Sequence, residues 1–174
     1  MLQLIRFFLD LALLRRRPQD LPDSLFLLQI LLLLNVVLNF PLGLQVFAGV
    51  RDALLATLLE LVLSAALLFA GLQVRGWSNR WRQSYCALLG IGVVGALVTL
   101  SYRALAAALG IPALAATLDL AVFLWLLLAM AHVLRHAFDI PLPFAILVTF
   151  AYTMFLLGLV AQWFAPGLAP AASA

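Results

Sequence analysis

Polar residues are so sparse along this chain that its organisation is read from the apolar runs between them. A helix needs about 20 consecutive apolar residues to cross the hydrocarbon core of a bilayer. Five runs meet that length, at about 25–47, 52–74, 84–109, 113–135 and 142–164. The breaks between them carry helix-stopping chemistry. Pro18 and Pro22 interrupt Arg17-Pro18-Gln19-Asp20-Leu21-Pro22, Gly110-Ile111-Pro112 is too short for anything but a tight turn, and Pro141 and Pro143 precede the last run. Glycine suits a helix end and proline a helix start, so the third and fourth spans should be antiparallel neighbours. Asp23 or Ser24 is placed to cap the first span and Asp52 the second. Pro41 should kink the first span, with Asn39 near enough to satisfy the freed backbone groups.

Residues 1–17 show a different pattern. Gln3, Arg6, Asp10 and Arg17 fall on one stripe of an otherwise apolar helix. Such a helix is expected to lie in the membrane interface with its apolar face in the acyl chains. The alternative is a helix packed on the cytoplasmic end of the bundle. Arg6 and Asp10 interrupt the apolar run and no small-residue cleavage site follows, so it does not read as a secretory signal. Residues 165–174 are Pro, Gly, Ala and Ser apart from Leu168, with the composition of a disordered tail. The fold class is thus all-α membrane, a five-transmembrane-helix bundle with an N-terminal interfacial amphipathic helix.

Within the spans, small and polar residues gather on single faces. Thr57, Glu60, Ser64 and Gly71 share one face of the second span, and Gly92, Gly95, Ala96, Thr99, Arg103, Ala106 and Gly110 one face of the third. Lipid offers polar groups no partner, and small residues let helices approach closely, so both faces should point into the bundle. The fifth span carries Thr149, Tyr152 and Thr153 at its middle.

Composition agrees with a polytopic membrane protein: 67% of the 174 residues are apolar and 10% charged, where soluble domains average about 25% charged. No segment is long and polar enough for a separate soluble domain. All ten basic residues are arginine. The net charge of +3 reflects arginines flanking spans, so no nucleic-acid partner is implied; the expected partners are the lipid bilayer and a membrane protein or further copies of this chain. With the N-terminus cytoplasmic, Arg6, Arg15, Arg16, Arg17, Arg75, Arg80, Arg82 and Arg135 lie inside and only Arg51 and Arg103 outside. That is the positive-inside bias of a bacterial-type inner (plasma) membrane protein with its C-terminus outside. Trp77 and Trp81 beside arginines suit the headgroup region.

The stretch Asn79-Arg80-Trp81-Arg82-Gln83-Ser84, leading into a Gly-rich third span, is similar to the basic, Gln-containing entry of bacterial members of the Yip1 family, and the five-span topology resembles that family's. The Asp-x-x-Gly-Pro signature of eukaryotic members is absent, so the resemblance implies a topology and neither a trafficking role nor site residues. Pro-Gln-Asp-Leu-Pro and Leu-Arg-His-Ala-Phe-Asp-Ile-Pro-Leu-Pro look like segments of an uncharacterised group of short bacterial membrane proteins.

Three charges stand inside spans: Glu60, Arg103 and Asp119. Counted by helical rise, all three fall at similar depth in the outer half, with Asn39 near the same level. Intramembrane charges face partners or water-filled cavities. The expectation is a cluster of Glu60, Arg103, Asp119 and Asn39, serving as a polar clasp or as a site for a proton, cation or small polar solute. His132 and His136, four apart, could share a metal with Asp139 or Cys86; no metal or other cofactor is assigned. Cys86 is the single cysteine, which excludes an internal disulfide. No nucleophile with a base, phosphate loop or H-E-x-x-H pattern is present, so no enzyme is expected. Two function classes follow: a non-enzymatic accessory or scaffold subunit of a membrane assembly, favoured by the lack of an internal repeat, and a small transporter or channel using the charged cluster.

Overall fold

A computed structural model describes residues 2–47 and 49–164. They form six helices: α1 (Leu2–Ala12), α2 (Leu25–Gly43), α3 (Val50–Val74), α4 (Trp81–Leu109), α5 (Pro112–Phe138) and α6 (Leu142–Phe164). Five of these, α2 to α6, are long and apolar enough to cross a membrane. The tail at 165–174 lies outside the described residues.

Four helices stop in the same way. In each, a residue in the left-handed region follows the last turn and the next N–H reaches back five residues. Gly76 and Gly110 take that position after α3 and α4 with φ of 75° and 66°, and Leu14 and Asp139 take it after α1 and α5 with φ of 64° and 50°. The closing bonds are Trp77 N to Leu72 O at 2.8 Å, Ile111 N to Ala106 O at 3.0 Å, Arg15 N to Asp10 O at 2.8 Å and Ile140 N to Arg135 O at 3.1 Å. After Gly110, Pro112 begins α5 at once, so α4 and α5 return along each other. Ser24 caps α2, its side chain accepting from Leu27 N at 3.3 Å. Helix α3 starts earlier than its Asp52 suggested: Gly49 is the cap, and Asp52 lies in the first turn, where a carboxylate complements the helix dipole.

Helix α4 is the centre of the bundle. Half of its most apolar stretch is buried, against 11–22% for the other four long helices. Its small residues explain this. A β-carbon at Gly92 would stand 2.6 Å from Asn35 Oδ1 of α2, and one at Gly95 would stand 2.7 Å from Leu126 of α5. Asn35 uses the closeness: its Nδ2 donates to Leu31 O at 2.8 Å and across to Leu89 O of α4 at 2.9 Å. Many large apolar side chains on α2, α3, α5 and α6, among them Leu33, Val62, Leu120 and Leu147, face outward, as helices in lipid require.

Helix α3 meets α4 differently. Trp81 Nε1 donates to Ala65 O at 3.0 Å and Tyr85 Oη to Leu61 O at 2.7 Å. The two rings stack with centroids 5.6 Å apart, and Phe69 meets Trp81 edge-on at 6.0 Å. Aromatic side chains from α4 thus prop α3 away from the backbone of α4, and the space so made is a cavity.

Helix α1 puts a face into protein. Phe8, Leu11 and Ala12 are buried against α4 and α5 and belong to the main core with Leu21. Trp125 Nε1 donates to Ala12 O at 2.9 Å, and His132 Nε2 lies 3.0 Å from Arg16 O. Leu4, Ile5, Leu9 and Leu13 remain exposed. Of the two placements expected for this helix, its contacts are those of one packed on the bundle, and only the opposite apolar face is free for lipid.

Candidate functional site

Of the four residues expected to cluster, the structure joins two. Arg103 and Asp119 form a bidentate pair, Nε to Oδ1 at 3.0 Å and Nη2 to Oδ2 at 3.0 Å. The remaining arm, Nη1, donates to Gln45 Oε1 at 2.7 Å, and Tyr102 Oη donates to Asp119 Oδ1. Tyr102 and Gln45 complete the clasp, and sequence reasoning missed both. A bidentate guanidinium–carboxylate pair with its spare donor and acceptor used is a strong form of ion pair. It ties α4, α5 and the end of α2 together near the turn at Gly110.

Glu60 and Asn39 stand elsewhere. Asn39 Nδ2 donates to Asn35 O at 2.9 Å within its own helix; it does not serve the Val37 carbonyl that Pro41 leaves free. Glu60 forms no hydrogen bond or ion pair among the described residues. The reason is partly depth. From Val50, Glu60 is roughly 15 Å along α3, whereas Arg103 and Asp119 are each roughly 10 Å from the turn between α4 and α5. The rest is helix rotation, since Glu60 points into the cavity beside the aromatic props and Arg103 and Asp119 do not line it.

That cavity has a volume of about 970 Å³ and is lined by all five long helices. It reaches from Asn39 and Thr99 at one end to Arg75 and Phe138 at the other. Glu60 is exposed and is one of the residues that line this cavity. Most of the wall is apolar, with Leu67, Met130, Phe144, Phe155 and Leu156 among its members.

Around Glu60 stand Ser64, Tyr85 and Tyr152. Ser64 Oγ and Tyr85 Oη both donate to Leu61 O, at 3.0 and 2.7 Å. Tyr152 Oη is the one buried side-chain polar atom left without a partner among the described residues. A buried unpaired hydroxyl costs about 1–3 kcal/mol, and this one lies near Glu60 and Ser64. The signal for Tyr152 was in the sequence: a tyrosine at mid-span is out of place, because the ring normally sits at the membrane edge.

His132 and His136 are adjacent, rings 4.6 Å apart and edge-on. The Arg16 carbonyl can only accept, so His132 Nε2 carries the proton and is occupied. Among the described residues no three His, Cys, Asp or Glu side chains gather as metal ligands. His132 therefore belongs to the docking of the segment after α1, and Gln19 Nε2 reinforces it by donating to His136 O at 2.8 Å.

Comparison with protein-family models, with curated proteins and with solved structures finds no match. Nothing in these comparisons bears on the Yip1-like topology, so function is argued from this chain's own residues.

Proposed function

We propose that this is a polytopic protein of a bacterial-type inner membrane, with its N-terminus inside, that binds a small amphiphile within its own helix bundle as the binding step of a carrier. The observation that carries this reading is the cavity of about 970 Å³ with a mostly apolar wall and Glu60 as its one carboxylate. Its size is that of pockets that take small organic molecules, about 300–1,000 Å³, and such pockets share this pattern of apolar lining and few polar groups. An accessory subunit, the other class the sequence suggests, has no use for a mid-bilayer cavity or for an unpaired carboxylate inside it. The arginine distribution supports the orientation, since Arg75, Arg80, Arg82 and Arg135 all follow or precede helix ends on one side of the bundle.

The test is native mass spectrometry of protein extracted in mild detergent, beside Ala151→Phe, which puts a ring into the cavity from α6. The expected result is a small lipophilic adduct on the wild type that the variant loses while remaining monodisperse and helical. Equal adducts on both proteins would place the molecule on the outer surface and overturn the reading.

A further inference from the structure

The donors and acceptors around Glu60 narrow what the cavity takes, a step that rests on the cavity being a binding site. The wall holds two charges, Glu60 and Arg75. Arg75 lies at the end of α3 with its guanidinium over the Trp77 ring, 5.7 Å from the centroid. Fifteen helical residues separate the two, roughly 22 Å, so neither neutralises the other. Arg103, the cation nearest in depth, is committed to Asp119. The carboxylate of Glu60 is therefore without a counter-charge among the described residues.

The neighbouring polar groups have spent their donors and kept their acceptors. Ser64 and Tyr85 give their protons to Leu61 O. Asn35 gives both amide protons to backbone carbonyls, and Thr149 and Thr153 give theirs to Ala145 O and Thr149 O at 2.8 Å each. Around Glu60 these groups keep oxygen lone pairs beside one carboxylate, with Tyr152 Oη itself buried and Arg75 roughly 22 Å away. Such a set cannot serve an anion, and it suits a ligand that brings its own N–H donors and positive charge. The apolar wall takes a hydrocarbon body.

We propose that the ligand is a lipophilic amine, bound as its ammonium with the charge at Glu60 and the N–H groups shared between Glu60 and Ser64.

The probes are 2-(2-naphthyl)ethylamine and 2-(2-naphthyl)ethanol, which share a body and differ in the head, measured by equilibrium dialysis against the detergent-solubilised full chain at pH 7. The amine should bind saturably and at least tenfold more tightly than the alcohol. Glu60→Gln should weaken the amine tenfold or more and leave the alcohol unchanged. Ser64→Ala should weaken the amine several-fold. Each variant is first shown to elute as the wild type does. Equal binding of amine and alcohol, or amine binding indifferent to Glu60→Gln, overturns the ammonium assignment while leaving the cavity a binding site. Absence of saturable binding by both probes overturns the assignment and counts against the cavity reading as well.

Discussion

Gly90 has the Phe8 ring where a β-carbon would be, and this one contact decides how α1 sits. Phe8 is 8% exposed and its neighbours Leu11 and Ala12 are fully buried, so the ring has nowhere to retreat. Gly90→Ala should lower stability by about 1–3 kcal/mol, the usual cost of overpacking, read as a drop in thermal midpoint in detergent. Adding Phe8→Ala should recover part of the loss, because the methyl then fills space the ring vacates. Gly158→Ala is the control, since nothing lies within 4 Å of its added carbon. Removing residues 1–14 should destabilise the protein at least as much, by uncovering the packed faces of α4 and α5. A Gly90→Ala protein as stable as the control would mean that α1 does not dock there.

At the scale of elements, the clasp joins α4 to α5 and both to the end of α2. A double-mutant cycle with Arg103→Leu and Asp119→Leu should show coupling of about 0.5–3 kcal/mol, the range for residues in one charge network. The double variant should be more stable than the sum of single losses predicts, because each single change strands the partner's charge. The same cycle with Glu60→Leu and Arg103→Leu should be additive, since Glu60 belongs to the cavity; coupling there would contradict the separation of the two sites. That separation also marks where the sequence stops being informative. Helix existence and ends were legible, because apolar runs and the Gly110-Ile111-Pro112 turn are local signals. Depth was legible to within a turn. Rotation was not: in a bundle whose core and lipid faces are both apolar, hydrophobicity cannot say which way Glu60 points. The faces of α4 escaped this limit, since small residues mark close approach regardless of polarity. The burial of α1 was hidden for the same reason as Glu60, because Phe8 and Leu9 read alike and one meets protein while the other stays exposed.

The whole molecule is asymmetric from end to end. One end carries the clasp, and the other carries α1, the Trp77 and Trp81 loop and most of the arginines. Arg80 and Arg75 both lie over the Trp77 ring, at 4.6 and 5.7 Å from its centroid, an arrangement suited to the headgroup layer. If that end is cytoplasmic, the Arg75 end of the cavity lies toward the cell interior. The chain's one native thiol makes the orientation measurable. Cys86 is 1% exposed and should give little background with a membrane-impermeant maleimide. In intact spheroplasts, Ile111→Cys at the outer turn should label readily. Ser78→Cys, between α3 and α4, should label only after permeabilisation. Both positions are in connecting turns and exposed, so neither substitution disturbs packing. The reverse pattern would turn the bundle over, put the eight-arginine face outside against the positive-inside bias, and turn the Arg75 end of the cavity toward the exterior. Labelling of both sites without permeabilisation would mean that α4 does not cross the membrane.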